Sequence, residues 1–263
     1  MLDSLKQGFK DVFLSLKRIN MAIYFAWGDT LAKYRRSVLG PFWMVLSTAV
    51  SVAGLGFLWS ILLKQSPEIL VPSLCVGLVI WQFISGCITE APSNFIKNSH
   101  FIRNMATPYF IYHLTMISRQ VINLLHNITI VVLVLCFYPP HFGFEQLLII
   151  PGFILVLSNL LWIGLLLSIL GARFRDTDQI IGAFMPLFFF LSPVIYRPNQ
   201  LGLSQHIVWL NPFSYFISLI RDPIMGVAPP MFVYEVTVLA LIIGSLFTVY
   251  QFGRVRGQIA FWV

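Results

Sequence analysis

An all-α, polytopic membrane fold is what this sequence predicts, and three observations predict it. Hydrophobic residues fill 58% of the 263 positions and charged residues only 10%, with mean hydropathy +0.83, outside the soluble classes. The apolar residues gather into runs of about 20, the length a helix needs to cross a hydrocarbon core of roughly 30 Å. Lysine and arginine stand beside those runs and form no stripe, so the net charge of +7 reads as membrane topology and not as a nucleic-acid surface.

At the start, Leu2, Leu5, Phe9, Val12, Leu16 and Ile19 recur at helical spacing, with Lys6, Lys10, Asp11, Lys17 and Arg18 on the remaining surface. This predicts an amphipathic helix for an anionic membrane surface, or one packed on another domain. It lacks the apolar core of a cleavable signal, so the chain is expected to keep its start in the cytoplasm. Lys33, Arg35 and Arg36 complete a basic lead-in, dividing segment 1–38 from a transmembrane domain, 39–263. Within that domain six spans are predicted, at 39–63, 69–91, 112–137, 147–171, 179–196 and 232–252. Lys97, Arg103, Arg173, Arg175, Arg254 and Arg256 join the lead-in on one side, against Lys64, Arg197 and Arg221 opposite. Both termini are therefore predicted to be cytoplasmic. The inside link 92–111 predicts a short surface helix, then a restart with Thr107 as cap and Pro108 as first residue. It reads as a docking element for a soluble partner, or as a solvated connector.

The stretch 179–226 is apolar but is broken by Pro186, Pro193, Pro198, Pro212 and Pro223. Each break frees backbone groups that hydrocarbon does not satisfy, so the segment must face protein or water. Asn211 caps and Pro212 opens a helix that Asp222, before Pro223, ends. Phe213, Phe216, Ile217 and Ile220 share one face, and Ser214, Ser218 and Arg221 the other. That pattern predicts a re-entrant lid over a pathway, its apolar face sealed and its serines wet; an extramembrane loop with a surface helix is the plainer alternative.

Intramembrane ionisable groups are costly and point to function or pairing. Glu90 and Arg119 lie at similar predicted depth, as a pair or as snorkelling groups, and His126 with Asn123 and Asn127 forms a polar patch suited to bonds between helices. Arg173, Arg175, Asp176 and Asp178 crowd one inside turn, which fits positive-inside anchoring and also reception of a pyrophosphate. Trp43, Trp59, Trp81 and Trp209 suit interfacial belts. Phe188, Phe189, Phe190, Tyr196, Tyr215 and Phe216 cluster on the broken stretch, as faces for sugar rings or as core. Cys75, Cys87 and Cys136 read as small buried hydrophobes, and the scattered His100, His113, His126, His141 and His206 predict no metal site. No lysine follows a glycine in this chain, so the Gly-Lys-Ser/Thr core of a phosphate-cradling loop is absent and nucleotide hydrolysis must come from elsewhere.

Five blocks together resemble the permease subunits of ABC-2 type polysaccharide exporters, above all those for O-antigen. They are YRRSVLGPFW at 34–43, IKNSHFIRNM at 96–105, ARFRDTDQI at 172–180, FFFLSPVIY at 188–196 and LNPFSYFISLIRDPIMG at 210–226. Gly28 departs from the pattern, standing where the similar family segment usually carries arginine. The resemblance implies a half-transporter in the bacterial inner membrane that pairs with a second copy and two ATPase subunits. It would export a polyprenyl pyrophosphate-linked glycan, with ATP and Mg used by the partner and no cofactor held by this chain. It further implies an ATPase-coupling helix bearing Ile96, Lys97, Phe101 and Arg103, and a channel entrance at Arg173, Arg175 and Asp176. The channel and its periplasmic gate, about 197–226, would carry Phe188, Phe189, Phe190, Tyr196, Phe213, Tyr215 and Phe216. Capsule, teichoic acid and drug or lipid exporters of the superfamily are neighbouring readings; a glycan polymerase or a non-transporting anchor are rivals from other classes.

Overall fold

The computed structural model describes residues 2–62, 64–140, 143–196 and 205–263, and every regular element among them is helical. Leu63, His141, Arg197, Pro198 and the first part of the predicted gate lie outside the described residues, as do the side chains of Leu2 and His206. The chain runs through α1 (Leu2–Lys17), α2 (Ile19–Tyr34), α3 (Phe42–Leu62), α4 (Pro67–Glu90), α5 (Asn94–Lys97) and α6 (Ser99–Asn104). After α7 (Phe110–Phe137) and a 3-10 turn (Phe144–Leu148) come α8 (Ile149–Arg173), α9 (Thr177–Leu191), α10 (Gln205–Val208), α11 (Pro212–Ile224) and α12 (Met231–Trp262).

Among the described residues five helices are long and apolar enough to cross a membrane: α3, α4, α7, α8 with its 3-10 lead-in, and α12. The predicted fifth span is shorter than its apolar run. α9 has 15 residues and rises about 22 Å, less than the roughly 30 Å of hydrocarbon. It stops because Ser192 precedes Pro193 and takes an extended conformation, φ −85° and ψ 146°, which the proline ring favours. α12, by contrast, keeps going for 32 residues, about 48 Å, longer than the hydrocarbon core is thick.

α4 is the axis. Most of its span is buried, and α3, α7, α8, α9 and α11 surround it, as expected of a helix whose charged residues lie at its ends. One apolar core forms around it, including Trp81 at 8% exposure, so this tryptophan is interior and not part of a belt. Cys136, predicted to be buried, faces outward. A second core joins Phe95, Ile102, Phe110, Leu165, Ile169, Phe252, Ile259 and Val263 at the end of the bundle where α1 and α6 meet α12 and α5 meets α7 and α8.

That end differs from its prediction in three ways. The leading segment is two helices, separated at Arg18, and α2 lies along α7 while α1 crosses α12. A Cβ on Gly253 would stand 1.8 Å from the Ser4 carbonyl oxygen, so only glycine permits this crossing. Second, Asp11 is not on a polar surface: it is 2% exposed. Its carboxylate accepts from the backbone N–H groups of Tyr109 and Phe110, at 3.2 and 3.0 Å, and pairs with Arg256. Those N–H groups open α7 and have no intrahelical acceptor, so a cap from α1 replaces the predicted Thr107 cap. Thr107 instead shares a hydrogen bond with the Tyr112 hydroxyl, 2.7 Å. Third, the predicted surface helix is two short ones, α5 and α6, broken at Asn98, whose amide donates to the Asn94 carbonyl at 2.8 Å.

Candidate functional site

At the opposite end, α11 is built as its sequence suggests. Asn211 Oδ1 accepts from the Phe213 N–H at 3.0 Å, and its Nδ2 donates to Ser192 Oγ at 2.8 Å and to the Phe188 carbonyl at 3.1 Å. One side chain therefore caps α11 and ties it to the end of α9. With 13 residues the helix rises about 20 Å, too short to span, and it is enclosed by α4, α8, α12 and the 3-10 turn. α8 approaches so closely that a Cβ on Gly152 would stand 2.4 Å from the Leu219 carbonyl oxygen.

The two-faced expectation fails. Phe213, Phe216, Ile217 and Ile220 are buried as predicted, but Ser214 and Ser218 are at 0% and 1% exposure. Two residues of the polar face turn inward to serve protein groups, while Ser214 Oγ is buried with no hydrogen-bond partner among the described residues. Ser218 Oγ donates to Asp222 Oδ2. Arg221, 1% exposed, donates through Nη1 to the Pro193 carbonyl and, at 3.5 Å, to that of Tyr196. Its Nε and Nη2 fork onto Asp222 Oδ1 at 3.0 and 2.9 Å. The chain leaving α9 has lost its helical donors, and a guanidinium with five N–H groups mends several carbonyls at once.

The aromatic cluster is mostly core. Trp81 meets Phe189 at 5.6 Å and Phe213 at 6.0 Å between ring centroids, and Phe188 meets Phe213 edge-on at 5.3 Å. Phe213 and Phe216 are 6.3 Å apart. Tyr215 donates to the Trp209 carbonyl at 2.9 Å and Tyr196 to that of Leu191 at 3.1 Å. Phe190 alone of the predicted set is largely exposed, at 64%. It borders a groove of about 480 Å³ between α4 and α9, lined also by Trp81, Ser85, Thr89, Met185 and Phe189.

Glu90 and Arg119 do pair, and the cluster is larger than predicted. Arg119 also holds Asp29 Oδ2 at 2.5 Å, while Gln120 donates to Glu90 Oε2 at 2.7 Å. Asp29 was missed, although it is the one charged residue in the apolar stretch 21–32. The polar patch of α7 divides. Asn127 donates to Gln82 Oε1 at 3.1 Å and meets Thr48, joining α3, α4 and α7. Asn123 bonds Gln120, and His126 turns back to its own helix at Ile122.

Residues predicted for two separate tasks meet at the end of α12. Arg103 of α6 donates to the Val263 carbonyl, and Arg175 to that of Trp262 at 3.4 Å. Arg173 lies over the Trp262 ring, 5.5 Å from its centroid. Asp176 starts α9 without capping it through its side chain. Ile96 is half-buried, whereas Lys97 and Phe101 are exposed.

The family model for ABC-2 type transporters matches residues 22–225. The chain belongs to the ABC-2 type transporter family. The match includes α11 and the α5–α6 pair and leaves out α1 and α12. The chain is also similar to two proteins of Klebsiella pneumoniae, each described as O-antigen export system permease protein RfbA. One is 23% identical over 203 residues, 75% of this chain and 77% of the relative. The other is 21% identical over 202 residues, with the same coverage. As an ABC-2 permease the protein is a multi-pass transport subunit and not an ATPase, and permeases of this family work with an ABC ATPase partner.

Proposed function

We propose that this permease forms the membrane path of an ATP-driven exporter for a lipid-linked polysaccharide of the O-antigen type, crossing the bacterial inner membrane. The observation that carries the reading is α11, a helix too short to span, enclosed among spans and tied by Asn211 and Arg221 to the end of α9. A hydrated polymer needs a path that closes between strokes, and broken backbone at membrane depth is tolerated only against protein or a water-filled cavity. The similarity to two O-antigen permeases supports the same reading.

In this scheme two copies of the chain pair with two ATPase subunits, which hold the ATP and Mg; this chain binds no cofactor. Both termini are cytoplasmic in this reading, which the lysine and arginine distribution supports. α5 and α6 present Lys97 and Phe101 to the ATPase, with Ile96 and Arg103 holding the pair to the permease body. Arg173 and Arg175, with Asp176 beside them, receive the pyrophosphate of the polyprenyl carrier by charge-assisted hydrogen bonds. Phe190 and the α4–α9 groove line the path, and α11 closes it beneath Phe213, Tyr215 and Phe216.

Copurification from native membranes tests this, with mass spectrometry of protein and glycolipid. An ABC ATPase and a lipid-linked glycan in the same particle is the expected result, together with no ATP hydrolysis by the isolated chain. A particle holding a small drug-like molecule or phospholipid and no glycan, or hydrolysis by the chain alone, would overturn it.

A further inference from the structure

We infer that the last turns of α12 relay movement of α6 to the turn between α8 and α9, with Trp262 as the positioning residue. The relay rests on the reading of α6 as the element that meets the ATPase.

The geometry comes from two independent kinds of contact. In the apolar core at this end, Ile259 and Val263, 0% and 4% exposed, pack with Ile102 of α6 and with Ile169 and Ala172 of α8. Close-packed interiors transmit a displacement instead of absorbing it. Around that core, three arginines from two segments converge on two residues. Arg103 of α6 donates to the Val263 carbonyl, while Arg175 donates to the Trp262 carbonyl and Arg173 covers its ring. A guanidinium over an indole face is held by the ring quadrupole as well as by packing. From the far side, Arg256 pairs with Asp11 of α1 and lies over the Tyr109 ring at 5.2 Å, at the start of α7. The end of α12 is thus braced against α1 and α7 and touches both α6 and the arginines of the α8–α9 turn. Its 32 residues exceed by about ten what a span requires, and the surplus is what makes these contacts.

The consequence concerns Arg173 and Arg175. Arg173 lies over the rings of both Trp262 and Phe174, and Arg175 is held by the Trp262 backbone carbonyl. A stroke that shifts α6 and the end of α12 thus moves both charges at the proposed channel entrance, the Trp262 side chain acting on Arg173. A substitution at Trp262 should therefore leave ATPase binding and hydrolysis in place and lower the export obtained from each ATP.

The test uses the whole transporter, permease with its ATPase, in proteoliposomes. Association, ATP turnover and glycolipid export are read in one preparation for Trp262→Leu, which keeps apolar bulk in the core, and for Trp262→Phe, which keeps a ring for Arg173. For Trp262→Leu, export per ATP is expected to fall about five-fold or more, the lower bound of ordinary allosteric coupling, with association and turnover unchanged and Trp262→Phe recovering most of the loss. Spin labels at His100 and Gln179, both exposed, give a readout independent of export: nucleotide trapping should move the pair together in the parent and separately in Trp262→Leu. Unaltered export per ATP, or an unaltered label response in Trp262→Leu, would overturn the relay. Absence of association in the parent protein would remove the docking role of α6, and the relay with it.

Discussion

Each end of the bundle contains an interrupted backbone and one buried charge that mends it, and the two repairs are opposite in sign. At the α1 end the break opens a helix, and the carboxylate of Asp11 accepts the free N–H groups of α7. At the α11 end the break closes a helix, and the guanidinium of Arg221 donates to free carbonyls beyond α9. This is the polarity of helix ends, where unpaired N–H groups attract anions and unpaired carbonyls attract cations. The difference lies in what each charge joins. Asp11 ties together three elements far apart in the chain, with a counter-ion, Arg256, whose side chain is 41% exposed. The Arg221 side chain is 2% exposed, its counter-ion is the next residue, and among the described residues it joins α11 to the chain leaving α9. The first end is a clasp across three elements; the second is a local repair that ties the α9 end to α11.

The largest effect is expected from Arg221→Met. It leaves the Pro193 carbonyl unmended in the interior and takes the partner from the Asp222 carboxylate. Removing one partner of a buried pair costs about 3–5 kcal/mol, and the lower end applies because the Asp222 side chain is 22% exposed. Thermal unfolding in detergent should show a large loss or no folded protein, with Arg221→Lys intermediate because an ammonium does not fork. A variant as stable as the parent would show that the α9 end needs no repair.

Asp11→Asn should cost less, about 1–2 kcal/mol, because the amide oxygen still accepts one of the two N–H groups, while the other is left facing the amide NH2 and the charge is lost. Hydrogen exchange should quicken at Tyr109 and Phe110 and leave α11 unchanged. Acceleration at both ends would erase the distinction between clasp and repair.

The smallest stability change, within about 0.5 kcal/mol, is expected for Lys97→Glu, an exposed charge beside the clasp. Association with the ATPase should nevertheless weaken. Unchanged association would move the docking surface away from α5 and α6.

How much of this was legible follows from the same contrast. The spans were readable because hydropathy acts locally, and the start of α11 because Asn211 and Pro212 are local cap chemistry. Glu90 and Arg119 were readable because charges are rare in apolar runs. Asp11 was not, since an acid among lysines on an amphipathic helix looks like surface until α7 and α12 are placed over it. The inner serines of α11 were misread for a related reason: a helix has one polar face by pattern, but whether water or α8 and α12 lie against it depends on residues far along the chain. α9 was read too long because its apolar run continues past the residue where Pro193 ends the helix.

The claim that α11 is an enclosed gate, coupled to the end of α9, is tested most directly by cysteine accessibility along that helix in membranes. Cys75, Cys87 and Cys136 would first be replaced by small residues, and single cysteines placed at positions 213, 214, 217, 218 and 220. A membrane-impermeant maleimide should label all five slowly at rest, whichever face they occupy, and should label them faster, together with a cysteine at position 192, only during ATP-driven export. Fast labelling of 214 and 218 at rest, with 213, 217 and 220 protected, would mean that water already reaches the polar face and that Arg221 holds a surface helix instead of a gate.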